Sequence, residues 1–422
     1  MLRQLRGHAA AGEDSKVTPR YSTRLSWPVR TSRFADVLAS HRQAGTRLFD
    51  LTISNPTAAN FAYPHTEIAK ALGGVRQFDY RPDPAGSLEA RQAIAALYKA
   101  AGIAIAPGRI LLTASTSEAY GYLFKLLCNP GDEILVPLPS YPLFEFLAAL
   151  EGVRTAPYWL RYDGNWHVDL ATVASAINER TRAIVVVNPN NPTGSFLKHN
   201  EATALLALAR AQNLPIISDE VFTDFALPSA AEPVQTLINR GETLVFSLNG
   251  LSKSCGMPQM KLGWMVISDP DGQAGESRER LEFILDTYLS PSTPVQSALP
   301  GVLAIGSGVR AQILERIRRN YKTLQRLLAG SPAGVLHTEA GWSTVVQIPR
   351  TQTEDEWILT LLDRRHVVTQ PGYFFDMPNE AYLVLSLLTD PEIFDEGVGR
   401  IREAVEEEDG QKPLSSEVWS RG

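Results

Sequence analysis

The chain has 422 residues, 44% of them apolar and 20% charged, with a formal net charge of -6 and a mean hydropathy of -0.11. Together with 30 Gly, 28 Pro and 8% aromatics, this excludes collagen-like and low-complexity classes and predicts about two or three globular units. No basic block is present, so neither nucleic acid nor an anionic membrane surface is expected as a partner.

Cys128 and Cys255 are the only cysteines, too few and too separated for a disulfide framework. A reduced, cytoplasmic setting is expected. The seven histidines show no metal-ligand spacing, and no metal is expected. No apolar run approaches the roughly 18–20 residues that cross a bilayer. The opening MLRQLRGHAAAGEDSK lacks the apolar core of a secretory signal.

In chain order, RILLT (Arg109–Thr113) reads as a strand, followed by a helix over 117–128. Further strands are expected at EILV (Glu133–Val136), AIVVV (Ala183–Val187), PII (Pro215–Ile217), LVF (Leu244–Phe246) and WMVI (Trp264–Ile267), with a helix over 200–211 among them. Continuous apolar strands alternating with helices predict an α/β fold with a mostly parallel sheet covered on both faces. From about Pro294 the pattern changes to an Arg-rich amphipathic helix (Val309–Leu328), strands near 343–348 and 382–387, and a helix from Pro391. The expected organisation is an N-terminal arm over 1–48 packing with the small domain, a large domain over 49–295, a smaller α+β domain over 296–408, and a flexible tail over 409–422.

Ligands of parallel sheets sit at the carboxyl ends of the strands, and three segments there are unusual. VNPNNPTG (Val187–Gly194) combines prolines, asparagines and a glycine that fix a special backbone path; alone it also describes a turn-forming loop. SDEVFTDF (Ser218–Phe225) places Asp219 at a strand end, where it needs a cation or serves as a helix cap. SLNGLSKSCGMPQMKLG (Ser247–Gly263) puts Lys253 in a small-residue loop. Partial burial there would make it a nucleophile toward a carbonyl, and full exposure would make it an ordinary surface lysine.

The ordered set NPNNPTG, SDE and SK, about 30 residues apart, resembles the class I and II aminotransferases of the fold-type-I pyridoxal-phosphate enzymes, over about residues 49–402. The resemblance implies a seven-stranded-type sheet and a Lys253 Schiff base, with Lys253 also carrying the proton between Cα and C4′. It implies that Asp219 pairs with the pyridinium nitrogen, Asn191 donates to the phenolic oxygen, and Tyr141 of PSYP stacks on the ring. Ser115, Thr116 and Ser117 in TASTSEA, with Ser252 and Lys261, would hold the phosphate. Tyr80, ahead of GSLEAR, would reach the phosphate across a homodimer interface. The substrates implied are an amino acid and a 2-oxo acid.

Three positions depart from the family pattern. Lys261 stands for a phosphate-binding arginine, keeping the charge and losing the fork. Phe222 replaces a tyrosine that bonds the phenolic oxygen. Val384, in YLVLSLL, replaces the arginine that clamps the substrate carboxylate. A lyase, decarboxylase or synthase on the same scaffold is therefore the alternative, with a PLP-binding sensor and a nicotinamide enzyme behind it. For the missing clamp, the arm arginines Arg20, Arg24, Arg30 and Arg33 are the expected substitutes, with Asn191 as a second donor.

Overall fold

The computed structural model describes residues 21–25, 33–74, 81–228, 233–240, 243–269, 274–379 and 381–410. The chain opens with helix α1 (Arg33–Gln43), the short strand β1 (Phe49–Asp50) and helices α2 (His65–Gly73) and α3 (Leu88–Ala100). Strand β2 (Ile110–Thr113) runs into α4 (Thr116–Leu127), and β3 (Glu133–Leu138) precedes α5 (Phe144–Leu150). A hairpin of β4 (Arg154–Tyr162) and β5 (Trp166–Val168) follows, then α6 (Leu170–Ala176), β6 (Thr181–Val187), α7 (His199–Ala211) and β7 (Ile216–Asp219). Next come β8 (Val245–Gly250), the single turn α8 (Leu251–Ser254), β9 (Gly263–Ser268), α9 (Ala274–Tyr288) and the 36-residue α10 (Thr293–Leu328). The remainder is β10 (Gly334–Val335), β11 (Ser343–Gln347), α11 (Glu354–Arg365), β12 (Val367–Val368), β13 (Gln370–Pro371), β14 (Tyr382–Ser386) and α12 (Pro391–Gly410).

The large sheet has eight strands in the order β2-β9-β8-β7-β6-β3-β4-β5. From β8 to β4 every pairing is parallel, while β9 runs against both of its neighbours. The eighth strand, beyond the seven expected, is β5, which folds back antiparallel on β4 at the edge. Its three residues, Trp-His-Val, are too short a run to read as a strand from pattern. Side chains alternate between two covered faces. Ile110, Leu112, Trp264 and Val266 enter one core; Leu111, Met265 and Ile267 enter another. Burial on both sides explains why these strands read as continuous apolar runs. Each such side chain stabilises the fold by roughly 1.5–3 kcal/mol.

A second, antiparallel sheet has the order β10-β11-β14-β13. Phe49 and Asp50 pair in parallel with Val367 and Val368 in a separate two-stranded sheet, and Leu51 accepts from the Ser386 N–H at the end of β14, so the entering chain is bound to the C-terminal elements beyond residue 48. The expected boundary at 295/296 falls in the first turn of α10. This helix begins 16 residues before the expected Val309, because Pro294, Pro300, Gly301 and Gly306 hid its periodicity. It is the single helix among the described residues long and apolar enough by composition to cross a membrane. Its buried stripe (Leu299, Val302, Val309, Ile313, Ile317 and Leu324) packs on α2, α3 and α12, as a core helix does.

Candidate active site

The carboxyl ends of β2, β3, β6, β7 and β8 share one edge of the large sheet. β2 and β8 both run against β9 and so point the same way. Asp219 ends β7 in register with Val187 of β6 and Leu248 of β8. Lys253 lies in α8, the turn that follows β8 directly. The edge therefore gathers the three segments singled out in the sequence.

Lys253 is partly buried, with Nζ 5.4 Å from the Trp342 ring centroid and 5.8 Å from that of Phe222. These rings meet edge to face at 5.4 Å. Burial lowers the lysine pKa; the charge of Asp219 opposes this, and that of Lys261 adds to it. An amine with a depressed pKa has a larger neutral, nucleophilic fraction. Asp219 is shifted the other way, from 3.8 to about 6, by burial, against the pull of the Val221 N–H, the Tyr120 hydroxyl and Lys253. A buried carboxylate held under such strain is a ready partner for a cation.

Ser115 is the N-cap of α4, and its Oγ accepts the Glu118 N–H at 3.1 Å. The Glu118 carboxylate turns back to the Ala114 N–H (2.6 Å) and accepts from Ser290 (2.8 Å). Among the described residues no acceptor meets the N–H groups of Thr116 and Ser117, which stand open at a helix N-terminus, a ready anion site. Gly263 lets β9 approach this end: a Cβ there would sit 3.2 Å from the Thr116 nitrogen. Lys261 is exposed, two residues before Gly263, with φ +50 in the left-handed region. Ser252 is partly buried beside Lys253. Tyr80 lies outside the described residues.

The loop after β6 uses two of its three asparagines on itself. Asn188 accepts from Leu197 and donates to Val234, and Asn190 accepts from the Thr193 hydroxyl at 2.9 Å. The partly buried Asn191 carboxamide meets no described hydrogen-bonding group. Tyr141, past β3, packs against the core cluster that contains Val384 and Phe375. Val384 is 1% exposed. Its in-register neighbours are Val345 on β11 and Gln370 on β13, so this row carries one carboxamide and no charge. The arm does not bring Arg24 or Arg33 to this edge. Arg24 donates to the Leu150 carbonyl at 2.9 Å, at the end of α5 remote from Tyr141, and the exposed Arg33 begins α1, which packs on α11. Arg20 and Arg30 lie outside the described residues.

Tyr120 was not legible as a site residue. Its hydroxyl donates to Asp219 Oδ2 at 3.1 Å from 99 residues away. Its helical offset from Ser117 was the available signal. Trp342 was missed because it sits in the second sheet's entry, far from any motif.

The profile of the family "Aminotransferase class I and II" matches residues 47–401. The chain belongs to the class I and II aminotransferases. It is 27% identical to a tyrosine aminotransferase from Bos taurus, over 94% of this chain and 93% of that protein. It is 30% identical to a glutamate-pyruvate aminotransferase, AlaA, from Haemophilus influenzae, over 68% and 72% of the two chains. An alanine aminotransferase structure from Pyrococcus furiosus superposes with a TM-score of 0.80 at 26% identity, covering 92% of this chain and 100% of that one. The protein is thus a fold-type-I aminotransferase. None of these relatives favours the lyase, decarboxylase or synthase alternative. Members of this family depend on pyridoxal phosphate, and the open helix end and the partly buried carboxylate and amine fit that group.

Lys261, exposed two residues before Gly263, is a candidate cation for an anion at this helix end. Lys261→Ala is expected to weaken cofactor binding by roughly 1.5–3 kcal/mol, the range for a hydrogen bond to a charged group. Lys261→Arg is expected to hold it. Fluorescence titration of the cofactor-free chain checks both, and an Ala variant that binds as tightly as the parent contradicts the assignment.

Proposed function

We propose that Lys253 carries pyridoxal phosphate covalently and moves the proton in amino transfer between an amino acid and a 2-oxo acid. Three features on one sheet edge support this reading. They are a partly buried amine of lowered pKa, a carboxylate whose pKa is raised to about 6, and an open helix N-terminus. Pyridoxal phosphate held there would supply an electron sink for charge developing at the substrate Cα. Asp219 would keep the ring nitrogen protonated, and the Thr116 and Ser117 amides would hold the phosphate with Ser115, Ser252 and Lys261. Asn191 would donate to the phenolic oxygen, where Phe222 has no hydroxyl to offer. Tyr141 would cover the ring. Borohydride reduction and peptide mapping test the reading: the label is expected on Lys253, and a label on Lys261 or elsewhere overturns it.

We assign the substrate carboxylate to neutral donors, Asn191 and Gln370, since Val384 offers none and Arg24 is engaged at Leu150. Neutral donors hold a carboxylate less strongly than a bidentate arginine. Gln370→Leu is expected to raise KM for an amino acid by about 5–30-fold, the loss of a single hydrogen bond of roughly 1–2 kcal/mol. Alanine at Arg24 or Arg33 is expected to leave KM unchanged. The reverse pattern would return the clamp to the arm.

The alanine and tyrosine specificities of the relatives make these two amino acids the first to assay. We further infer a homodimer, supported by the exposed Phe283, Tyr288 and Leu289 of and after α9. These adjoin Ser290, which contacts Glu118 at the α4 N-terminus. Light scattering decides this. A cytoplasmic location agrees with the free Cys128 and Cys255, and cell fractionation tests it.

A further inference from the structure

We propose that Tyr120 is a positioning residue for amino transfer, its hydroxyl holding the Asp219 carboxylate in the orientation and charge state that receive a protonated ring nitrogen. The inference rests on the cofactor reading above. Asp219 has one donor on each oxygen: the Tyr120 hydroxyl on Oδ2 at 3.1 Å and the Val221 N–H on Oδ1 at 3.2 Å. A carboxylate has about four acceptor sites, so a lone pair remains on each oxygen for a cation arriving at the sheet edge.

The geometry is rigid. Tyr120 is 1% exposed, and its ring is wedged between Phe124 (5.9 Å) and Phe144 (edge to face, 5.3 Å). It sits one helical turn beyond Thr116 and Ser117. The same helix would therefore hold the phosphate at its first turn and Asp219, at the opposite end of the cofactor, from its second. Displacing α4 would misplace both contacts together.

The hydroxyl also sets charge. Burial pushes Asp219 toward its neutral form, and the Tyr120 donor is one of the groups that oppose this. Tyr120 itself is raised well above the usual tyrosine value by burial and by Asp219, so it stays a donor across the working pH range. The other titratable groups reaching this pair are Lys253 from α8 and, on the Tyr120 side, Tyr158 from β4. Removing the O–H should let Asp219 keep its proton to higher pH. A neutral carboxyl cannot pair with a cationic ring.

The test is binding of pyridoxamine phosphate, which needs no covalent link, to the full-length chain from about pH 5 to about pH 9. For the wild type, affinity is full where Asp219 is ionised and falls as pH drops through its pKa. In Tyr120→Phe, which keeps the ring packing, this acid limb is expected to move up by about one pH unit, with about tenfold weaker binding near pH 5. Titration of the ligand itself is common to both proteins, so the displacement between them is the readout. In an Asp219→Asn background, Tyr120→Phe is expected to change affinity less than about twofold, since no carboxylate remains to be held. Tyr120→His, which can still donate, is expected to keep the limb nearer the wild-type position. An unmoved limb, or an equal loss in both backgrounds, overturns the proposal and leaves Tyr120 as packing. Absence of binding by the wild type overturns instead the cofactor reading beneath it.

Discussion

Lys253→Ala is expected to lower kcat/KM for amino transfer by at least about 10⁴-fold, because on the proposed reading one amine would serve as both covalent anchor and proton carrier. Its position makes it hard to replace. α8 is a single turn placed directly at the end of β8, and the Phe222 and Trp342 rings flank the ammonium. Arginine does not rescue, since its guanidinium stays charged. The fold should not suffer. Lys253 makes no ion pair within 4.0 Å among the described residues, and removing a buried charge of lowered pKa relieves its desolvation. Steady-state kinetics, with thermal unfolding alongside, checks both halves. The variant is expected to bind cofactor without the covalent link and to lose it on dialysis.

Asp219→Asn is expected to cost amino transfer roughly 3–5 kcal/mol, a factor on the order of 10²–10⁴, by leaving a buried cationic ring without its counter-charge. Stability should move the other way. In the ligand-free chain the Asp219 pKa is raised from 3.8 to about 6, so its ionised form at neutral pH disfavours the folded state by about 3 kcal/mol. This cost is present above pH 6, shrinks as pH falls, and is gone below the unfolded value near 4. The ligand-free Asn variant should therefore be the more stable protein at pH 7 and lose that advantage toward pH 4. Denaturant unfolding at several pH values, beside kinetics, separates a charge effect from simple damage. A variant both less active and less stable at pH 7 contradicts it.

The parts of the site legible in the sequence were those that lie at strand ends. Asp219, Lys253 and Asn191 each lie at, or a few residues beyond, the carboxyl end of a strand, and the parallel-sheet rule places such residues together. Ser115–Ser117 were legible for the same reason, since a serine-rich cap between strand and helix describes an anion site. What failed to show depends on contacts between distant positions. Nothing local to Tyr120 says that its hydroxyl meets a carboxylate 99 residues on, and Trp342 approaches Lys253 from the second sheet. The asparagines of NPNNPTG looked equivalent until their hydrogen bonds set Asn188 and Asn190 apart as loop supports. The fold followed similar lines. Continuous apolar strands were visible, whereas β5 was too short, and α10 carries Pro300 in its interior, which a locally driven helix would not tolerate. There, tertiary burial against α2 and α3 outweighs propensity.

The account is tested most directly by mixing the purified holoenzyme with single amino acids, alanine and tyrosine first, in the absence of any acceptor. It predicts that absorbance shifts as the bound cofactor is converted to pyridoxamine phosphate, with a matching amount of the corresponding 2-oxo acid released, and that a 2-oxo acid then restores the starting spectrum. Release of ammonia, carbon dioxide or an amine, with no accumulation of pyridoxamine phosphate, would contradict it.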